Sequence, residues 1–255
     1  MRTGKERDFA LDDNAKKSSK ELKEKGKGLV GGDIERIPHP RKGLAPFLKF
    51  PVTRPIELRR FPESDEEIAE AQSYLSHRPI DVEVGFGGGN FILQRAIQNP
   101  EVTHVGFEIR RNLCLSLVKR IESNNVNNLR VIYEDVRQSM DELFEDQSIR
   151  RCSVFFPDPW WKKRHVKRRV LTPFFLDLME KKLVPNGMLH IKTDVMPYAD
   201  VVEEMFAEDS RYQLDDGTYD YLFEGDFPTE REVFCAEKDI PWRDFRYVLV
   251  GKSEG

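Results

Sequence analysis

Residues Ile80 to Asn90 read IDVEVGFGGGN, and this stretch decides the fold. The first five residues alternate apolar and acidic side chains, which is typical of a β-strand. The glycines that follow allow a sharp turn and a close approach of backbone to a ligand, and we expect a helix to begin at Asn90. Strand, glycine turn and helix together are typical of a nucleotide-binding α/β sheet, although a glycine loop alone is a weak signal.

The rest of the chain repeats strand and helix in alternation. The apolar patterns predict strands at 80–84, 103–107, 129–133, 152–156, 188–193 and 245–250. They predict helices at 64–76, 90–98, 111–123, 136–146, 172–183 and 197–208, with Asn186-Gly187 as a turn into the next strand. This alternation predicts an α/β fold with a mostly parallel sheet and helices on both faces.

The charge distribution divides the chain into an arm and one domain. Residues 1–42 hold twelve Lys or Arg and eight Asp or Glu, with few apolar residues, and we expect a flexible charged arm there. Residues 43–255 form a single predicted domain, with a lead-in and helix over 43–78 and a core over 79–250. Because the net charge is −4, binding to nucleic acid requires a local basic patch.

Cysteine and histidine are too scattered for a disulfide scaffold or a metal site. Cys114, Cys152 and Cys235 are widely spaced without a CxxC motif, and the five histidines lack ligand spacing. There is no apolar run of membrane-spanning length and no signal-peptide pattern. We therefore expect a cytoplasmic protein without a metal, without an obligatory protein partner, and monomeric or homodimeric.

An acidic residue stands at or just after the end of each of the first five predicted strands: Glu83, Glu108, Asp135, Asp158 and Asp194. Ligands of open α/β sheets bind at the carboxyl ends of the strands, so these acids predict a ligand site. Helix N-capping is the alternative for Glu108 and Asp135.

NAD and S-adenosylmethionine can both use such a site. The dinucleotide fingerprint requires Gly or Ala at its sixth position, where this chain has Asn90, and Glu83 would repel a pyrophosphate. S-adenosylmethionine has no phosphate and carries positive groups, so the charges favour it as the cofactor. Glu108 then suits its ribose diol, and Asp135 could accept from the adenine amino group.

A second stretch, residues 155–169, reads FFPDPWWKKRHVKRR. Asp158 is held between two prolines on stiff backbone, and Trp160 and Trp161 offer flat faces for stacking. Six of the eight residues from Lys162 to Arg169 are Lys or Arg. Separately these features indicate a turn, core residues and a solvated basic face; in succession they indicate chemistry on a nucleobase.

The chain resembles the bacterial tRNA (guanine-N7)-methyltransferases over about residues 79–250. The resemblance is carried by FFPDPWWKKRHVKRR, by EVGFGGG, by GFEIR, by KTDVMPYA and by TERE at Thr229 to Glu232. It implies a Rossmann-like S-adenosylmethionine-dependent methyltransferase fold. It also implies methyl transfer to N7 of a tRNA variable-loop guanosine, the one at position 46, with tRNA as the partner.

The resemblance also implies roles for individual residues. Asp158 would be the catalytic acid and would contact both donor and target. The implied cofactor-binding residues are Glu83, Gly85, Gly87, Glu108, Asp135 and Asp158. The implied substrate-binding residues are Lys162, Arg164, His165, Lys167, Arg168, Arg169, Asp194, Thr229 and Glu232.

The chain departs from the family pattern at two places. Trp161 stands where many members have histidine, and the usual Thr-Lys-Phe-Glu reads Thr229-Glu230-Arg231-Glu232 here, so that only its first and last residues carry over. Two other functions stay open: a methyltransferase acting on another nucleic-acid base or a small molecule, and a non-catalytic nucleotide sensor or RNA-binding module.

Overall fold

The computed structural model describes residues 79–161, 168–223 and 225–251, together with the helical residues Ala69, Gln72 and Leu75. The strands are β1 (Ile80–Val84), β2 (Thr103–Phe107), β3 (Leu129–Ile132), β4 (Ile149–Phe155), β5 (Leu183–Thr193), β6 (Tyr212–Leu214) and β7 (Arg243–Leu249). The α-helices are α1 (Asn90–Gln98), α2 (Arg111–Ser123), α3 (Val136–Leu143), α4 (Pro173–Lys182), α5 (Met196–Ala207) and α6 (Glu230–Glu237), and a 3₁₀ helix spans Asp220–Phe223.

The strands form one sheet in the order β3-β2-β1-β4-β5-β7-β6. Strands β1 to β5 are parallel, and β7 and β6 pair antiparallel at one side. The chain builds outward from β1 to β3 and then returns to place β4 on the other side of β1. The switch point of the sheet therefore lies between β1 and β4, where open α/β sheets bind their ligands.

Apolar side chains bury the helices against the two faces of the sheet. On one face Val82, Val105 and Val154 pack with buried residues of α3, α4 and α5. On the other face Leu129 and Val131 pack with buried residues of α1 and α2. The helices thus lie on both faces, as the alternating sequence pattern predicts.

The second face carries a row of buried polar residues across the central strands. Glu83 of β1, Arg151 of β4, and His190 and Lys192 of β5 are all less than a tenth exposed. Asp81 of β1 accepts hydrogen bonds from both nitrogens of the Arg150 fork, at 2.9 and 2.8 Å. When polar residues alternate along the strands, the face of the sheet that carries them is usually exposed to water. Here the chain after β6 covers that polar face.

The predicted elements agree with the structure in kind, with shifts at their ends. The bounds predicted for β1, β2, α1 and α2 are confirmed. β4 begins three residues before its predicted start. β5 begins at Leu183, before the predicted strand, because the Asn186-Gly187 turn lies inside β5. The turn falls between the strand pairs Ile149–Leu183 and Arg151–Met188. β6, the 3₁₀ helix and α6, which has Thr229 as its N-cap, are absent from the prediction.

The predicted arm, residues 1–42, and most of the lead-in lie outside the described residues. Leu75, in the predicted helix 64–76, is buried in the hydrophobic core, and the Gln72 amide donates to the Glu142 carbonyl at 2.8 Å. In the described part of the chain no helix has the length and apolar character needed to cross a membrane. Among the same residues, no cluster of His, Cys, Asp or Glu could hold a metal ion, and all three cysteines are buried and unpaired.

Candidate functional site

The glycine turn leaves open space beside the backbone at the end of β1. Gly85 and Gly87 have φ of 73° and 56°, in the left-handed region that favours glycine. A Cβ at Gly85 would meet no atom within 4 Å, and one at Gly87 would meet only the Arg110 guanidinium at 4.0 Å. Both predicted cofactor-binding glycines therefore allow a ligand to come close to the main chain.

Glu83 is buried beneath this turn with one oxygen unsatisfied. Glu83 is only 6% exposed, yet among the described residues its Oε2 has no hydrogen-bond partner. Burial raises the pKa of Glu83 to about 8, against the opposing effect of the Arg151 charge. A buried polar atom without a partner is costly, so its presence at a strand end indicates a place for a ligand donor.

Glu108, after β2, is held by four donors. Its Oε2 accepts from the Gly87 N–H at 3.2 Å, and its Oε1 from the Arg110 N–H at 2.9 Å. The Arg110 guanidinium adds bonds of 3.1 Å to each oxygen. The hydrogen bonds that Arg110 donates to Glu108 and, more weakly, the charge of Asp158 raise the pKa of Arg110. Arg110, which sequence reasoning missed, thus links Gly87, Glu108 and Asp158 into one neighbourhood.

Asp135 is the N-cap of α3. Its Oδ1 accepts from the Arg137 N–H at 3.1 Å and from the Arg137 Nε at 2.9 Å. Burial opposes its ionisation, but the hydrogen bonds from Arg137 outweigh it and lower the pKa. The capping alternative is therefore realised at Asp135, while a ligand contact there stays a prediction.

Asp158 projects from a strained loop after β4. Phe156 and Trp160, on either side of Pro157-Asp158-Pro159, have φ of 50° and 42°. Such backbone in bulky residues costs of order 1–3 kcal/mol and is concentrated at functional sites. Asp158 itself is exposed. The loop therefore holds a solvent-facing carboxylate on rigid backbone beside the glycine turn.

Arginine and aromatic side chains pair along the same loop. The Arg168 guanidinium lies 5.1 Å from the Trp160 ring centroid, and that of Arg169 lies 5.4 Å from Trp161 and 5.3 Å from Tyr198. The Arg169 Nε also donates to the Pro159 carbonyl at 2.7 Å, which ties the basic end of the stretch back to Asp158. The predicted substrate-binding residues Lys162, Arg164, His165 and Lys167 lie outside the described residues.

The first turn of α6 closes the other side of the site. Thr229 and Glu232 form a capping box, in which the Thr229 N–H donates to the Glu232 carboxylate at 2.7 Å. Glu232 also pairs with the Lys192 ammonium of β5 at 2.7 Å, in a buried salt bridge. The predicted substrate residues Thr229 and Glu232 are thus both structural here, and their contact with a substrate stays a prediction.

Asp194, at the end of β5, binds Arg231 of α6. The Arg231 Nε donates to its Oδ2 at 2.9 Å, and Nη2 makes a second contact to the same oxygen. The sequence contained one local signal for the start of α6, because the Thr-x-x-Glu spacing of Thr229 and Glu232 is the signature of a capping box.

Solved structures with a similar fold are methyltransferases. The 16S rRNA methyltransferase KamB matches with a TM-score of 0.53 and 15% identity, over 74% of this chain and 95% of that one. A variant of the 16S rRNA (adenine(1408)-N(1))-methyltransferase from Catenulisporales acidiphilia, solved with its cosubstrate SAM, matches at 0.51 and 16%, over 76% and 95%. At such identities the likeness shows the fold alone, and the fold is the Rossmann-like methyltransferase fold.

A family model described as putative methyltransferase matches residues 77–235. The chain belongs to this family, since the match covers more than half of it. Among its relatives are proteins named tRNA (guanine-N(7)-)-methyltransferase. The one from Histophilus somni (strain 129Pt) is 34% identical over 61% of this chain and 62% of its own length, and the one from Buchnera aphidicola subsp. Acyrthosiphon pisum (strain 5A) is 41% identical over 50% and 54%. The matched region thus spans less than two thirds of either relative.

Proposed function

We propose that the protein transfers a methyl group from S-adenosylmethionine to N7 of a guanosine in tRNA. One observation carries the proposal. Val84 of β1 pairs with Val154 of β4, so the glycine turn and the Pro157-Asp158-Pro159 loop leave neighbouring strands at the same level, on the two sides of the switch point. A donor site and a rigid exposed carboxylate therefore adjoin each other. The names of the relatives support guanine N7 of tRNA as the target.

The residues at the glycine turn fit the donor. The unsatisfied Oε2 of Glu83 can accept from a cationic ammonium, and the open space at Gly85 admits the ligand against the backbone. Ribose hydroxyls would take the positions that the Arg110 side chain fills on Glu108. The Arg110 side chain is 62% exposed and can turn away. Asp135 could accept from the adenine amino group through Oδ2, which accepts one hydrogen bond from the Arg137 guanidinium, whereas Oδ1 accepts two from Arg137.

The methyl transfer requires the protein to orient the guanine and to stabilise the positive charge that develops on it. It requires no general base. When bound, S-adenosylmethionine supplies an electrophilic methyl group on a sulfonium. Guanine N7 has a lone pair in the ring plane, and methylation leaves the purine positively charged. Asp158 can accept from the guanine edge and so fix its angle, and its carboxylate stabilises the positive charge as it develops.

The stacked arginines provide the RNA surface. Trp161 is about half exposed beside the Arg169 guanidinium, so it can stack on a base while the arginine meets a phosphate. Because the net charge of the chain is −4, this local surface must attract the RNA. Position 46 in the variable loop is the finer part of the proposal and rests on the family resemblance.

The variant Asp158→Asn tests the assignment of the catalytic residue. It keeps the shape and the loop but removes the charge. We expect methyl transfer to unmodified tRNA transcripts to fall by at least about a hundredfold, in line with the loss of one electrostatic group. The dissociation constant of S-adenosylmethionine, measured by calorimetry, should change by less than about threefold, because Glu83 and Glu108 are intact. Unchanged turnover would remove Asp158 from the mechanism.

A further inference from the structure

The first turn of α6 spans the crevice at the end of β4. Its Glu230 carboxylate accepts from the Asn90 amide next to the glycine turn of β1. Its Arg231 guanidinium binds Asp194 at the end of β5. Since β4 lies between β1 and β5, this helical turn bridges the strand end from which the Asp158 loop emerges. Glu230 and Arg231 are the two residues at which the segment Thr229–Glu232 departs from the family pattern, and both contact the rim of the site.

Arg231 is held in place on one edge and open on the other. Nε and Nη2 are used by Asp194, whose side chain is 10% exposed, and the guanidinium lies 4.9 Å from the ring centroid of Phe234. Among the residues that the structure describes, Nη1 has no hydrogen-bond partner, and the Arg231 side chain is 47% exposed. A guanidinium fixed in this way loses little entropy when its open edge binds a phosphate.

Phe234 presents an apolar face beside this guanidinium. Its side chain is 42% exposed, one turn along α6 from the strand ends. The pair repeats the chemistry of Arg168 with Trp160 and of Arg169 with Trp161. Tyr198, at the start of α5, contacts Trp161 and Arg169, and Asp194 lies four residues before it. The turn from Asp194 to Tyr198 therefore contacts the Arg231–Phe234 pair at its start and the Trp161–Arg169 pair at its end.

We propose that Arg231 and Phe234 form a further RNA-binding site, in which Arg231 binds a backbone phosphate and Phe234 packs on an adjacent ribose or base. The inference rests on the proposed function, since it assigns a second contact surface for the same RNA. It also gives Asp194 a role as the positioning residue that holds the guanidinium. The site takes a polynucleotide, because the phosphate and the apolar group must be offered together.

The variant Arg231→Gln tests the phosphate contact, since glutamine can still donate to Asp194 but carries no charge. Affinity for a tRNA transcript is measured by fluorescence anisotropy from about 50 to about 300 mM salt. We expect affinity at the lowest salt to fall about five- to tenfold, and the slope of log K against log salt to lose about 0.7–0.9, the value of one phosphate contact. Arg231→Lys keeps the charge and should retain most of the slope, whereas Phe234→Leu should weaken binding about fivefold without changing the slope.

Lys181→Gln is the matched control. Lys181 is 48% exposed and pairs with a carboxylate, Asp141 at 2.7 Å, but it lies in the last turn of α4 at the opposite end of the sheet. We expect it to bind RNA as the wild type does. For Arg231→Gln, the KM for tRNA should rise, while kcat and the affinity for S-adenosylmethionine stay within about twofold.

Two results would overturn the inference, and they are distinguishable. If the wild-type protein methylates tRNA and Arg231→Gln has the same affinity and salt slope as Lys181→Gln, the inference alone fails. If the wild-type protein neither binds nor methylates tRNA, the proposed function fails and the inference fails with it.

Discussion

Glu83 is the residue in which burial and function conflict most clearly. Its carboxyl sits at the end of β1 with an unsatisfied Oε2, and burial raises its pKa to about 8 from an ordinary value near 4.5. Between those two pH values the folded protein holds a proton that the unfolded chain releases. The contribution of Glu83 to the free energy of unfolding therefore falls as the pH rises from about 4.5 to about 8.

The variant Glu83→Gln isolates this effect, because glutamine resembles the protonated carboxyl. Wild type and variant should be similar in stability at pH 5. Above pH 5 the free energy of unfolding of the variant should exceed that of the wild type, by a difference that grows by up to ~1.4 kcal/mol per pH unit. The difference should become constant above pH 8. Urea unfolding at several pH values measures the difference. Two parallel stability curves would show that folding leaves the pKa of Glu83 unchanged, which contradicts the account.

Among the secondary-structure elements, the segment between β6 and α6 depends on buried ion pairs rather than on its own sequence pattern. Asp226 accepts from Arg151 at 2.7 Å and pairs with Arg95 at 3.0 Å, and both arginines are buried. Arg151 also donates to the Leu222 carbonyl at 3.0 Å. These contacts fix the loop that leads into α6 and so set the position of Glu230 and Arg231.

Removal of the shared carboxylate should be strongly destabilising. Asp226→Ala leaves two buried guanidinium groups without their main partner, and we expect the free energy of unfolding to fall by about 3–5 kcal/mol. Asp216→Ala is the control, because Asp216 is exposed on the same segment and, among the described residues, its side chain accepts hydrogen bonds from Thr218 alone. Denaturant unfolding should leave the control unchanged. Equal stability of both variants would mean that the ion pairs do not anchor the segment.

The elements that could be predicted are those that depend on local sequence patterns rather than on contacts between distant residues. β1, β2, α1 and α2 follow from local apolar periodicity and from the glycine turn, which act over a few residues. α6 buries only Glu232 and Cys235. Its position depends on pairs such as Arg151 with Asp226, which are 75 residues apart and leave no periodic trace. Only the capping box at Thr229 and Glu232 was available as a local signal.

For the site, the sequence placed the acids correctly at the strand ends but could not give their partners. The parallel strands alone bring Glu83, Glu108, Asp158 and Asp194 to one edge of the sheet. That Glu108 is occupied by Arg110, and Asp194 by Arg231, depends on side-chain geometry between separate elements. Whether each acid meets a ligand, as the resemblance implies, stays a prediction.

At the scale of the whole molecule, the candidate site residues lie together at the edge of the sheet where the parallel strands end. The net charge is −4, yet arginines stacked on aromatic rings lie beside the switch point of the sheet, together with an exposed acid on strained backbone. A chain of negative charge can bind a polyanion only through such a local surface. The architecture thus brings together the glycine turn, an exposed carboxylate and an arginine-aromatic surface, to which we assign the donor site, the catalytic acid and the RNA-binding surface of the proposed function.

The identity of the methylated nucleoside tests this account most directly. The protein is incubated with labelled S-adenosylmethionine and an unmodified tRNA transcript, which is then digested to nucleosides and separated by chromatography. The account predicts label in 7-methylguanosine alone, and no label when the variable-loop guanosine is replaced by 7-deazaguanosine, which lacks N7. Label in another nucleoside would contradict guanine N7 as the target, and bound donor without any transfer would contradict the enzymatic function itself.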